Sequence, residues 1–127
     1  MMESIETPNA PAPIGPYSQA IRHGDLVWVS GCIALSPEKG VMQQSSLEAE
    51  TRQVMKNLEA ILKKSESSLS NIVKTTIYLT DISRFGEVNE VYGSFLSLPY
   101  PARETVQVSA LPKGANVEIS CMAICHK

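Results

Sequence analysis

The sequence predicts an α+β fold, a mixed β-sheet with two helices packed on one of its faces. Three observations carry that prediction. Five segments read as strands and two as amphipathic helices, in the order strand, strand, helix, strand, helix, strand, strand. Each helix has a single apolar stripe, so together they cover one face of a sheet. The strand at Ile72–Leu79 and the strand that ends the chain carry apolar side chains on both sides, as interior strands do. With no internal repeat and no low-complexity segment, the 127 residues make one domain with a proline-rich arm at residues 1–16.

That arm contains Pro8, Pro11, Pro13 and Pro16, which exclude a helix; it is either a disordered lead-in or an extended strap. Tyr17 to Ile21 and Leu26 to Ser30 pair as a hairpin about the His23-Gly24-Asp25 turn. Gly31 follows, at a bulge or strand end, or where a backbone approaches a ligand closely. Ser36 to Gln44 is a loop broken by Pro37 and Gly40. Ser45 with Glu48 makes a capping box for the first helix. Leu47, Val54, Met55, Leu58, Ile61 and Leu62 form its core stripe, and Glu48, Glu50, Arg52, Lys56, Glu59 and Lys63 occupy its outer faces.

The β-branched run Ile72 to Leu79 puts Val73, Thr75, Ile77 and Leu79 on one face and Ile72, Lys74, Thr76 and Tyr78 on the other. Asp81 or Ser83 caps a second helix over Phe85 to Leu96, with Phe85, Val88, Tyr92, Phe95 and Leu96 buried. Asn89 lies at the edge of that stripe, as a helix–loop contact or as a polar group pointing into a site. Leu98-Pro99-Tyr100-Pro101 ends the helix.

The candidate chemistry lies between Pro101 and Glu118. A strand starts near Arg103, with Thr105, Gln107 and Ser109 on its face and Val106 and Val108 on the other. Leu111-Pro112-Lys113-Gly114 then turns the chain into the last strand, Val117 to Cys125, with Glu118 near its start. A guanidinium at one strand's start and a carboxylate at the other's suit a small carboxylate ligand that exchanges a proton. A structural ion pair between them is the alternative.

Composition narrows the rest. The net charge of -2 gives no electrostatic reason for a nucleic-acid or membrane partner. No apolar run reaches the ~18 residues of a membrane span, and residues 1–16 lack a signal-peptide core, so the expected compartment is the cytoplasm or an organelle matrix. Cys32, Cys121 and Cys125 form no Cys-x-x-Cys pair and read as reduced thiols. His23 and His126 offer no metal-ligand spacing, and neither is placed to activate a serine or cysteine. Glycine-rich phosphate loops are absent. Tyr17, Arg103 and Glu118 remain as chemical candidates.

From Ala10 to Ile124 the chain resembles the Rid proteins, the YjgF-like reactive-intermediate deaminases, and within them the RidA subgroup. The resemblance rests on seven pieces in order: Ala10–Ala20 (APAPIGPYSQA), Val29–Gly31 (VSG), Val73–Asp81 (VKTTIYLTD), Val88–Tyr92 (VNEVY), Pro101–Arg103 (PAR), Ala110–Gly114 (ALPKG) and Val117–Ile119 (VEI). It implies a Bacillus chorismate mutase-like fold assembled as a homotrimer, with ligand clefts at the subunit boundaries. It further implies that Arg103 holds a substrate carboxylate and that Glu118 positions or deprotonates the attacking water. Tyr17 adds a hydroxyl, Ser30 and Gly31 add polar and backbone contacts, and Asn89 and Thr105 complete the binding set. The implied reaction is hydrolysis of 2-enamine or 2-imine acids such as 2-aminoacrylate to 2-keto acids and ammonia, without a cofactor.

Three departures bear on substrate preference. Thr105 stands where many relatives carry cysteine, Glu104 follows the arginine where a small or apolar residue is usual, and Cys32 and Ser120-Cys121 replace the common glutamine and Glu-Ala. The competing readings are a 2-keto-acid-binding regulatory module without turnover, and a ribonuclease or translation inhibitor. A chorismate mutase activity would rest on fold analogy alone.

Overall fold

The structure, a computed structural model, describes residues 1–126. Six strands form one mixed sheet in the order β1-β2-β3-β6-β4-β5. They are β1 (Glu3–Ile5), β2 (Ala20–His23), β3 (Leu26–Cys32), β4 (Ile72–Leu79), β5 (Ala102–Gln107) and β6 (Val117–Ile124). Only β4 and β5 run parallel, because the helix α2 (Phe85–Ser94) carries the chain back between them. The longer helix, α1 (Leu47–Lys64), packs on β3 and β6 and on α2. The α+β class and the two helices on one face therefore hold.

The core lies between that face and α1. Val27, Ile77, Val117, Ile119 and Ala123 from the sheet meet Val54, Met55, Leu58 and Leu62 from the helix, all fully buried. Each large aliphatic side chain among them contributes roughly 1.5–3 kcal/mol. The opposite face has no helix, and Leu26, Trp28, Val106 and Ile124 stand exposed on it. Among the described residues no helix is long and apolar enough to cross a membrane.

Several local expectations are corrected. The arm begins with a short edge strand, β1, paired antiparallel with β2 before the first proline is reached. Beyond it Gln19 straps the arm down: its side chain accepts from the Thr7 amide and donates to the carbonyls of Thr7, Ala10 and Pro11. Tyr17 lies in the loop before β2, not in the strand. Helix α1 is capped by Ser46, whose Oγ accepts from the Ala49 amide at 3.0 Å, so the Ser45–Glu48 box does not form. Asp81 caps a short 3-10 turn ahead of α2, accepting from the Ser83 amide. Val91 joins Val88 and Tyr92 in the buried stripe of α2. A bulge between Ile72 and Lys74 also reverses the start of β4, burying Ile72 and exposing Val73.

Glu50 is the largest correction. It is 1% exposed rather than on an outer face. Its carboxylate accepts from the backbone amide of Asn116 at 2.7 Å, from Asn116 Nδ2 at 2.8 Å and from Gln44 Nε2 at 3.3 Å. These bonds tie the loop entering β6 to the first turn of α1, two residues before Glu118. Glu50→Ala removes the charge-assisted bonds to Asn116 and leaves a gap at a buried position, and is expected to cost about 2–4 kcal/mol, one or two charge-assisted bonds' worth. Urea denaturation checks this, and an unchanged midpoint would show the clamp to be dispensable.

Candidate functional site

Arg103 stands at the start of β5, on the sheet edge. It pairs in register with Thr75, whose buried hydroxyl shares a 2.8 Å hydrogen bond with Tyr92 of α2, so Arg103 projects on the helix side. Its guanidinium lies over the rings of Phe85 (4.9 Å) and Tyr92 (5.4 Å), and Nη1 donates to Asn89 Oδ1 at 2.7 Å. Phe85, Asn89 and Tyr92 sit at i, i+4 and i+7 on α2, one helical face turned to the guanidinium. Ring faces attract the cation and Asn89 orients it, leaving further N–H donors of the five for a ligand. An open cavity of about 460 Å³ adjoins, bordered by Asn89, Tyr92, Tyr100 and Arg103. Burial raises the Tyr92 phenol, so it stays a neutral hydrogen-bonding group.

Glu118 pairs with Tyr78, three residues from Thr75 on β4, and so projects from the opposite, bare face. Its carboxylate lies directly on Gly31, so close that a Cβ there would collide with it. This is the close approach the glycine permits, and the approaching group is Glu118. A bulge between Val29 and Cys32 places Gly31 there, as the bulge reading of this glycine expects. Half-burial lifts the Glu118 carboxyl above the ordinary glutamate pKa through desolvation.

Around Gly31 the arm supplies the remaining candidates. Ser30 Oγ donates to the Ser18 carbonyl at 2.6 Å and its amide donates to the Gln19 carbonyl at 3.0 Å, so its hydroxyl first anchors the arm. Tyr17 is half-exposed, with its hydroxyl 3.5 Å from the Ile14 amide. Tyr17, Ser30 and Gly31 border a small cavity of about 50 Å³ beneath the arm.

The candidates thus fall into two groups. Arg103 and Asn89 gather on the helix side at the β5 edge, with half-buried Thr105 two residues further along the same face. Tyr17, Ser30 and Gly31 gather at the arm, with Glu118 over Gly31 on the bare face. No ion pair joins Arg103 to Glu118 among the described residues, which removes that alternative. Glu104 pairs with Lys74 at 3.2 Å on the bare face, away from the guanidinium, as strand parity requires. The buried thiols are poor nucleophiles: burial pushes Cys32 up to about 12, and Cys121 rises for the same reason. Among the described residues no group of three or more His, Cys, Asp or Glu is placed to hold a metal ion. The sequence reading missed the roles of Phe85 and Tyr92 under Arg103; their i, i+7 spacing about Asn89 was the available signal.

This fold, a six-stranded mixed sheet with two helices on one face, is shared with known small α+β proteins. The family model described as Endoribonuclease L-PSP matches residues 7–125. The chain is 49% identical over 121 residues to Reactive Intermediate Deaminase A, chloroplastic, of Arabidopsis thaliana, covering 95% of this chain and 65% of that one. It is 42% identical over 120 residues to the 2-iminobutanoate/2-iminopropanoate deaminase of Homo sapiens, covering 94% and 88%. The solved structure of E. coli TdcF with bound serine superposes with a TM-score of 0.92 at 35% identity, covering 98% and 99%. The chain belongs to the endoribonuclease L-PSP family, also called the Rid or YjgF family.

Proposed function

We propose that the chain hydrolyses 2-imino and 2-enamino acids, such as 2-aminoacrylate, to 2-keto acids and ammonia. The observation that carries this reading is the division of the site. A stacked guanidinium with free donors lies on one side of the sheet, and a desolvated carboxylate beside a bulge glycine lies on the other. A three-carbon acid cannot touch both within one copy, so the working site joins the Arg103 side of one copy to the Glu118 side of another. The apolar residues on the bare face, Leu26, Trp28, Val106 and Ile124, favour such an association. Three copies with those faces inward make a closed, chorismate mutase-like ring with three clefts.

In such a cleft Arg103 grips the substrate carboxylate through two parallel N–H donors and fixes the face of C2 presented to water. Water attacks C2 of the protonated imine as one of its protons passes to Glu118, giving a carbinolamine. Glu118 returns that proton to the amine nitrogen, the C2–N bond breaks with loss of ammonia, and the remaining hydroxyl proton is released to water as the C2=O of the 2-keto acid forms. Side chains and water suffice, so this chemistry calls for no cofactor. The deaminase name of the human relative and the serine bound to the E. coli one, itself an amino acid with a carboxylate, support the substrate class. The proposed compartment is the cytoplasm or an organelle matrix, the latter supported by the chloroplastic name of the Arabidopsis relative.

The test generates imino acids in situ with an amino-acid oxidase and follows clearing and light scattering on the same samples during dilution or urea titration. Expected is a trimer of about 41 kDa, three times the 13.8 kDa chain, whose activity disappears on dissociation. A folded monomer that still clears imines would sink the two-copy site. Keto-acid binding without turnover would favour the regulatory module. Cleavage of RNA, which the family description names, would favour the ribonuclease, against the net charge of -2.

A further inference from the structure

Resting on the imine-hydrolysis reading, we infer that Glu50 is a positioning residue for the proposed base. From the first turn of α1 it holds the start of β6, so that the Glu118 carboxylate stays over Gly31. It touches no substrate and acts through Asn116.

Glu118 needs such support because the sheet holds it from one side only. The register of β3 with β6 passes from Val29↔Cys121 to Cys32↔Ile119 and ends there, so it skips Gly31 and stops short of Glu118. Val117 and Glu118 keep their β4 partners, Leu79 and Tyr78, at the end of that ladder. Strand ends held in this way fray. The turn before them adds to the tendency. Lys113 sits at φ 56° and Gly114 at φ 67°, and a left-handed backbone is unfavourable for the lysine. A turn wound like this relaxes when its far end is released.

The far end is held at Asn116. Its carbonyl accepts from the Thr80 amide at 3.1 Å. Glu50 takes both of its donors, the backbone amide on one carboxylate oxygen at 2.7 Å and Nδ2 on the other at 2.8 Å. Gln44 Nε2 bridges the same carboxylate to the Gly114 carbonyl, at 3.3 and 3.0 Å. Two donors on one residue need two acceptor oxygens in one plane, which a carboxylate has and a glutamine amide lacks. Glu50 is buried in the packed first turn of α1, so its oxygens are fixed points, whereas Asn116 is exposed. Deprived of those oxygens, Asn116 turns its donors to water, and the segment carrying Glu118 shifts while the rest of the sheet stays paired.

The experiment is a double-mutant cycle between Glu50 and Glu118. It is read as clearing of imines made by an amino-acid oxidase and as 2-ketobutyrate affinity by calorimetry, at a temperature where melting curves show every variant folded. Glu50→Gln alone is expected to lower kcat about ten- to hundredfold, the cost of misplacing a reacting group by about 1 Å. Keto-acid affinity should change less than about threefold, because Arg103 holds the carboxylate. In the Glu118→Gln background, read at high protein concentration, the same substitution should change residual clearing less than about twofold, since no base remains to be placed. Asn116→Ala keeps the backbone bond to Glu50, so it should show the same pattern with a smaller loss; it takes the place of Glu50→Gln if that variant does not fold. An equal fold-loss in both backgrounds makes Glu50 a support of the fold alone and overturns the inference. So does an unmoved kcat, or a keto-acid affinity that falls as far as kcat. A wild type that clears no imine overturns the deaminase reading, and the positioning role with it.

Discussion

Glu118→Gln is expected to lower imine turnover by about a hundred- to ten-thousandfold, the usual contribution of a positioned general base. The affinity for a 2-keto acid should change only a fewfold. The amide fills the same space over Gly31 but cannot take the water's proton, so kcat falls while product binding persists. Equal losses of rate and affinity would make Glu118 a binding residue instead. Unchanged kinetics would remove it from the mechanism.

The pH dependence follows from the sign of the shift. Desolvation raises the Glu118 carboxyl above its ordinary value, and the base works only as the carboxylate. Turnover should therefore climb as pH rises through that raised pKa and then level off, and Glu118→Gln should lose this acid limb. Stability runs the other way. The folded state holds this proton more tightly than the unfolded one, so the group's contribution is fully present below the unfolded pKa. It is lost as pH rises through the folded one. At neutral pH the glutamine variant should melt higher than the wild type while being nearly inactive. A lower melting temperature would mean that the carboxylate is not paying a desolvation cost.

Local structure was legible wherever one segment decides its own conformation. The β-branched run Ile72–Leu79 is a strand with those bounds, and the Leu47-to-Leu62 stripe of α1 is buried throughout. Features set by distant partners were not. Glu50 reads as an outer-face residue until Asn116, 66 positions away, folds over it. Strand β1 has three residues, too few to show a period beside a proline-rich arm. The bulge at Val73 undoes the parity count for the first residues of β4 because it depends on the pairing with β6.

The same distinction governs the site. Residue types and the spacing of Arg103 and Glu118 pointed to the pair, but which face each occupies depends on the register of β5 and β6 against β4 between them. Thr75 opposite Arg103 and Tyr78 opposite Glu118 are an odd number apart, so the two groups diverge. No count along either strand alone contains that fact. Gly31 was noticed for its missing side chain, and the structure supplies the reason in the Glu118 carboxylate.

Arg103→Lys is expected to weaken 2-keto-acid binding by about ten- to hundredfold, the equivalent of roughly 1.5–3 kcal/mol for one charge-assisted hydrogen bond. The fold should survive, because Arg103 is exposed at an edge strand and forms none of the ion pairs among the described residues. Lysine keeps the charge but loses two things the structure shows. Its ammonium cannot stack flat on Phe85 and Tyr92, and it cannot bond Asn89 while holding a planar fork towards a ligand. Asn89→Ala should act in the same direction and more weakly, since stacking still orients the guanidinium. Calorimetric titration with 2-ketobutyrate, alongside imine clearing, separates the two possible roles of the arginine. If the lysine variant binds and clears like the wild type, Arg103 only packs β5 onto α2, and the carboxylate must be held elsewhere. If instead binding and clearing fall together while the melting temperature stays put, the guanidinium is the carboxylate anchor.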